Sequence, residues 1–393
     1  MTFAVRLALF YGAIFILIGV FLPYFPVWLN ARGLTAGEIG IVLSAPLFVR
    51  VLVTPAISFS ADKSGDRRLM LIGLAWGALL AGLLFLAANS FWPILGTVIL
   101  FALFWTSIMP LTEAVAMQGV KSAGLDYGRM RLWGSLSFVA ASIGGGLAIQ
   151  QWGSDAALWI FIGATGCVAV TAFALPRPTG KGWLRAAAPV PDIRLADALA
   201  LARNPLFLAL LFATALVQGS HAIYYAFGTL HWRSVGISMT DIGQLWAMGV
   251  VAEIALFAVS KRVVAAYGPV RLIIFAAVAA VIRWPMMTLD LPLEVLFPLQ
   301  MLHAFTFGAA HLGALHFIAD AVPEHCSATA QGLYAAVTAG IAMGLGLTMA
   351  GPLYNLMGAE AYWIMALFGA LSLLGSWWLM MHWRGERLPM AAR

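Results

Sequence analysis

Charge is scarce in this chain. Only 10% of its 393 residues are Asp, Glu, Lys or Arg, where soluble domains carry about 25%. That shortage excludes an ordinary water-soluble enzyme. Cysteine is nearly absent as well. Cys167 and Cys326 lie far apart and match neither a disulfide framework nor a metal-ligand spacing. No G-x-x-x-x-G-K-[ST], H-E-x-x-H or G-x-S-x-G occurs, which leaves no signature for a P-loop pump, a zinc protease or a serine hydrolase. No enzymatic activity, cofactor or metal is expected. The formal charge of +6 raises the question of nucleic acid, but its distribution along the chain answers a different one, that of topology.

What the chain has in abundance is apolar sequence: 62% hydrophobic residues and a mean hydropathy of +0.93. Runs long enough to cross a bilayer recur twelve times. Among them are Phe3–Trp28, Glu38–Phe59, Phe91–Gln118, Arg131–Gln150, Pro205–Leu230, Asp241–Ser260, Val270–Met287, Leu293–Ile318 and Ala361–His382. The first run has Arg6 near its start, is too long for a signal-peptide core and lacks a cleavage site, so it reads as a retained span. Breaks fall at turn residues such as Gly33, Gly153, Gly268–Pro269 and Gly358. The one long polar connection runs from 176 to 203, with a short interfacial helix expected at Ile193–Ala202. The expected organisation is an all-α membrane protein with twelve transmembrane helices in two six-helix halves. The N-terminal half is 1–175, the linker 176–203, the C-terminal half 204–383, and 384–393 a cytoplasmic tail. With both termini cytoplasmic, seventeen of the 22 basic residues fall in inner loops, while the outer loops hold Arg32 and Arg233. A multi-pass protein of the cell inner (plasma) membrane follows, working as a monomer on a small molecule and not on nucleic acid.

Charges inside such spans are costly and therefore informative. Glu113 and Arg131 flank a turn whose midpoint is residue 122. They should lie at similar depth on antiparallel neighbours, ~10 Å from the loop at a rise of 1.5 Å per residue. Glu253 and Arg283 bracket Gly268–Pro269 in the same way. Each pair either serves a ligand or fixes helix register as an ion pair. Arg50, midway along the second span, is a further cation, either part of an anion site or a structural partner.

Motifs then add a resemblance. Asp62-Lys-Ser-Gly65-Asp-Arg67-Arg68, after the second span, resembles the signature loop of the major facilitator superfamily. It departs in having Ser58 for the first Gly and Asp66 where a base is usual. The resemblance implies that Asp62, Lys63, Gly65, Arg67 and Arg68 form a cytoplasmic gate; a solvated topology-setting loop is the alternative. Gly19–Leu29 and Tyr127–Ser135 are similar to stretches of the proton-coupled lactose permease, as is the Glu113–Arg131 spacing. Gln218–Tyr225 and Leu302–His311 resemble the phenylpropionate permease branch. By that resemblance Glu113, Arg131, Tyr24, Trp133, His221, Tyr224, Tyr225 and His303 are substrate-binding. The family's acid three residues beyond His303 is Thr306 here. Proton coupling is then expected at Glu253, with Arg283 and His303, and with His221 and His311 as alternatives.

Two function classes remain. The first is a secondary transporter, proton-coupled and taking a small aromatic carboxylate, which needs one cation and an apolar slot. Within it, sugar or nucleoside symport ranks second, because the expected site is poor in Asn and Gln. A membrane receptor or enzyme ranks last.

Overall fold

The computed structural model describes residues 2–64, 66–123, 125–175 and 195–388. Gly65, most of the linker (176–194) and the tail from 389 lie outside the described residues, as does the side chain of Asp62. The described residues form helices and turns, with no strand among them. The first half gives α1 (Phe3–Ala31), α2 (Ala36–Ser64), α3 (Arg67–Leu83), α4 (Phe91–Trp105), α5 (Ile108–Ala123), α6 (Tyr127–Trp152) and α7 (Asp155–Ala172). The linker ends in α8 (Leu195–Arg203). The second half gives α9 (Pro205–Gly219), α10 (Ala222–Ser234), α11 (Met239–Ala258), α12 (Ser260–Tyr267), α13 (Pro269–Met286), α14 (Leu293–Met301), α15 (Ala310–Ala321), α16 (Ser327–Ala335), α17 (Met343–Met357) and α18 (Tyr362–His382).

Among the described residues eleven helical runs are long and apolar enough to cross a membrane. The last, Thr329–His382, has 54 residues, about 80 Å at the helical rise and more than twice a bilayer core. Gly358, at φ +58°, turns the chain there, so this run is two spans and the total is twelve.

Local chemistry explains the helix starts. Thr35 and Glu38 form a reciprocal capping box at α2: Thr35 N donates to Glu38 Oε2 at 2.8 Å, and Glu38 N to Thr35 Oγ1 at 3.3 Å. Asp66 caps α3 through Leu69 N, Asp126 caps α6 through Arg129 N, and Asn204 caps α9 with Pro205 at its first position.

Several spans are not continuous helices. The fourth breaks between α4 and α5 at Thr106–Ser107, the seventh between α9 and α10 at Ser220–His221. The tenth passes through a π-helical stretch at Ala304–Ala309, and the eleventh through another at Ala336–Ala342. Spans four and ten hold corresponding places in the two halves. Paired interruptions of this kind point to the binding regions of a secondary transporter.

The chain divides into two compact units, Met1–Ala188 with Tyr225–Ala247, and Pro189–Tyr224 with Met248–Arg393. This departs from a boundary near 204, because the segment after Tyr224 packs with the first half. Gln150 Oε1 accepts from Met239 N at 2.9 Å. Gly243 brings its helix against the Ser142 carbonyl, where any side chain would collide. The first unit is built on Leu7, Phe10 and Ile14 of α1 with Leu71, Leu74, Leu111 and Val168. An aromatic cluster of Phe25, Phe85, Phe101 and Phe161 adds to it. The second unit is built on Phe207, Leu210, Ile273, Phe317, Ile318 and Leu379. Large apolar side chains such as Leu52, Phe59, Trp92 and Leu356 are exposed, as a lipid-facing surface requires.

Candidate functional site

In the first unit Glu113 on α5 and Arg131 on α6 meet, Arg131 Nε lying 3.8 Å from Glu113 Oε1. Both side chains are about 30% exposed (28% and 31%), so the pair is reachable. Packing of α1 against α6 adds what the spacing did not reveal. The Arg131 guanidinium carbon sits 4.0 Å from the centre of the Phe15 ring and 5.8 Å from that of Tyr11, a cation–π arrangement. Tyr11 and Phe15 are one turn apart on α1, so a single helix face supplies both rings. Gly134 makes room: a Cβ there would stand 2.8 Å from the Phe15 ring and 3.1 Å from Arg131 Nη1. Tyr11 and Tyr127 both lie within electrostatic reach of the pair. The result is a guanidinium fixed by a carboxylate and an aromatic floor, with part of its surface open.

In the second unit a fully buried cation organises a polar network. Arg283 is 0% exposed. Its Nη2 donates to Gln300 Oε1 at 2.8 Å, and its Nη1 to Thr306 Oγ1 at 3.1 Å and to His303 Nδ1 at 3.4 Å. The rings of Tyr224 and Trp284 lie 4.8 and 4.7 Å from its Cζ. A guanidinium only donates, so His303 Nδ1 must accept and its proton sits on Nε2. That Nε2 faces Glu253 Oε2 at 3.8 Å. The expected Glu253–Arg283 pair thus takes a bridged form, with the imidazole of His303 between acid and base.

A second branch runs to His221. Its Nδ1 faces the Val217 and Gln218 carbonyls, both at 3.1 Å, and must donate; its Nε2, 3.0 Å from Thr306 Oγ1, therefore accepts. Both nitrogens are committed in the neutral ring, and a second proton would face the Thr306 hydroxyl. His221 is 0% exposed and ties Thr306 to the carbonyls of the seventh span. Trp284 Nε1 donates to Ser220 Oγ at 2.9 Å, and its ring stacks on Tyr362. His311 lies apart, its Nδ1 3.2 Å from the Tyr334 hydroxyl.

Other expected residues are placed differently. Tyr24 is fully buried, and its hydroxyl donates to the Ser142 carbonyl while its ring packs on Gly145. It is a helix-packing residue. Trp133 is 58% exposed. Two residues from Arg131, it falls about 200° around α6, on the opposite face. Tyr225 stacks on Trp246 in the first unit, apart from Tyr224. In the loop after the second span Arg68 donates to the Leu175 and Phe173 carbonyls at 2.7 and 2.8 Å. It thereby caps the end of the sixth span, while Lys63 is exposed. Phe15, Gln300 and Trp284 were not expected. Gln300, His303 and Thr306 recur every three residues in an otherwise apolar run, a polar stripe that sequence alone could have flagged.

Comparison with known proteins shows the family of the chain. The profile of the MFS_1 like family matches residues 4–365. The chain is 34% identical to the probable 3-phenylpropionic acid transporter of Escherichia coli (strain K12) over 379 residues, 92% of this chain and 94% of that one. It is 28% identical to a maltose permease of Geobacillus stearothermophilus, over 85% of this chain and 83% of that one. A solved structure of a variant of the nucleoside transporter NupG superposes with a TM-score of 0.83 at 15% identity, covering 97% of this chain and 99% of that one.

Proposed function

The chain belongs to the MFS_1 like family of major facilitator transporters, and from that premise we propose that it is a proton-coupled symporter of a small aromatic carboxylate. That it is a multi-pass membrane transporter of a small molecule, and not an enzyme, follows from the family and the twelve spans. The finer reading is supported chiefly by Arg131, half-open and seated on the Phe15 ring beside Glu113. A planar, two-pronged cation next to an aromatic surface suits a ligand with a carboxylate at one end and a ring at the other. The relative named for 3-phenylpropionic acid points the same way. Arg131 takes the carboxylate and Glu113 holds the guanidinium in place.

Glu253 carries the proton. His303 is oriented by Arg283 so that its Nε2–H faces the Glu253 carboxylate, and His221 is committed on both nitrogens. Glu253 is the carboxylate among the named side chains of this network, the kind of group that takes up and releases a transported proton. Arg67 and Arg68, with Asp62, Lys63 and Gly65, form the cytoplasmic gate. The protein acts as a monomer in the inner (plasma) membrane with both termini in the cytoplasm, on the distribution of basic loops. The named functions of the maltose and nucleoside relatives make sugars and nucleosides the competing substrates.

Thermal-shift binding to the purified protein tests the reading, using 3-phenylpropionate, benzoate, maltose and a nucleoside. Phenylpropionate should raise the melting temperature most. A shift with the sugar or nucleoside and none with either acid would overturn the substrate class.

A further inference from the structure

The hydroxyl of Tyr11 is a buried donor with no acceptor. Tyr11 is 0% exposed, and among the described residues its hydroxyl oxygen has no hydrogen-bond partner. Such a group carries a desolvation cost that an acceptor would remove. The surroundings name the acceptor. The ring lies in the apolar core with Leu111, Val115 and Ala116 of α5 and Met130 of α6, the two helices that carry Glu113 and Arg131. Glu113, Tyr127 and Arg131 all lie within electrostatic reach of the hydroxyl. A guanidinium accepts no hydrogen bond, so the charged acceptor among them is the Glu113 carboxylate. Tyr127, one turn before Arg131 on α6, already interacts with both members of the pair.

The pair itself is loose. At 3.8 Å, Arg131 Nε and Glu113 Oε1 attract each other without a hydrogen bond. An incoming carboxylate puts two carboxylates around one guanidinium. As Arg131 turns its fork to the substrate, Glu113 needs another donor, or the two anions repel. Tyr11 is the donor in place. The core holds its ring, so little ordering is required when the bond forms. A neutral ligand makes no such demand, because it leaves the guanidinium to Glu113.

We infer that Tyr11 takes over Glu113 when a carboxylate substrate engages Arg131: its hydroxyl donates to the Glu113 carboxylate in the loaded site and leaves the guanidinium to the substrate. The inference rests on the carboxylate reading above and deepens it. It makes Tyr11 a positioning residue that favours an anion over a neutral ligand of the same shape.

The test is equilibrium binding of 3-phenylpropionate and its neutral amide, 3-phenylpropionamide, to full-length wild type and Tyr11→Phe, with the melting temperature of each unliganded protein. Phe keeps the ring beside Arg131 and deletes the donor. In Tyr11→Phe the affinity for the acid should fall at least about tenfold, the loss expected for one hydrogen bond to a charged group. The affinity for the amide should hardly change, so the preference for acid over amide should fall with it. The unliganded variant should melt at or above the wild-type temperature, because no hydrogen bond among the described residues is lost with the hydroxyl. Wild-type affinity for the acid in Tyr11→Phe would overturn the inference while leaving the carboxylate reading intact. So would an equal loss for acid and amide, or a clear drop in the unliganded melting temperature, which would mark the hydroxyl as a structural bond. If wild type itself binds no aromatic acid but binds maltose or a nucleoside, the carboxylate reading falls, and the role of Tyr11 with it.

Discussion

Replacing Glu253 by Gln should separate binding from coupling. The amide matches the carboxylate in size and keeps an oxygen toward His303 Nε2. It leaves untouched the bonds from Arg283 to Gln300, Thr306 and His303 Nδ1. Stability should change little, by about 1 kcal/mol, since the side chain keeps its size and opens no cavity. Coupling changes completely. With one proton per substrate, a gradient of one pH unit is worth about 1.4 kcal/mol and supports about tenfold accumulation. A Gln side chain cannot release a proton, so the variant should equilibrate its substrate and go no further. The assay is uptake of labelled 3-phenylpropionate into proteoliposomes with an alkaline interior. It must be read before protein-free liposomes take up a measurable amount, because the neutral acid also crosses lipid. Exchange at equal concentrations on both sides should match wild type. Protein-dependent, pH-driven accumulation at the wild-type level in Glu253→Gln would refute the assignment and move coupling to His303 or Glu113.

Arg131→Lys keeps the charge beside Glu113 but loses the fork and its flat contact with Phe15. A charge-assisted hydrogen bond of about 1.5–3 kcal/mol is at stake, so affinity for phenylpropionate should fall at least tenfold in a binding titration; unchanged affinity would remove the guanidinium from recognition. Thr306→Val takes one partner each from Arg283 and His221. It should cost about 1–3 kcal/mol in buried hydrogen bonding, seen as a lower melting temperature that Thr306→Ser restores. Gly243→Ala would press a methyl on the Ser142 carbonyl and the Tyr24 hydroxyl. Overpacking of about 1–3 kcal/mol should lower the melting temperature, whereas Gly37→Ala, with open space around it, should not.

The sequence by itself determined the membrane class, the twelve spans and most of their breaks. These depend on runs of apolar residues and on local capping, which are short-range properties. Counting outward from a turn also brought Glu113 and Arg131 to the same depth, because antiparallel helices have equal rise on both sides of a tight loop. Partners supplied by a third helix could not be counted this way. Phe15 lies under Arg131 only because α1 packs on α6, and His303 stands between Glu253 and Arg283 only because the tenth span reaches both. Facing was equally illegible where the motif resemblance crossed a helix. Trp133 turned to the exposed side of α6 and Tyr24 into a seam of glycines, since resemblance names a position and packing sets its direction. The allegiance of Tyr225–Ala247 to the first unit likewise rests on Gln150 reaching Met239 N and on Gly243 tolerating the approach. These are contacts between residues about 90 positions or more apart in the chain, which the tertiary fold alone brings within bonding distance.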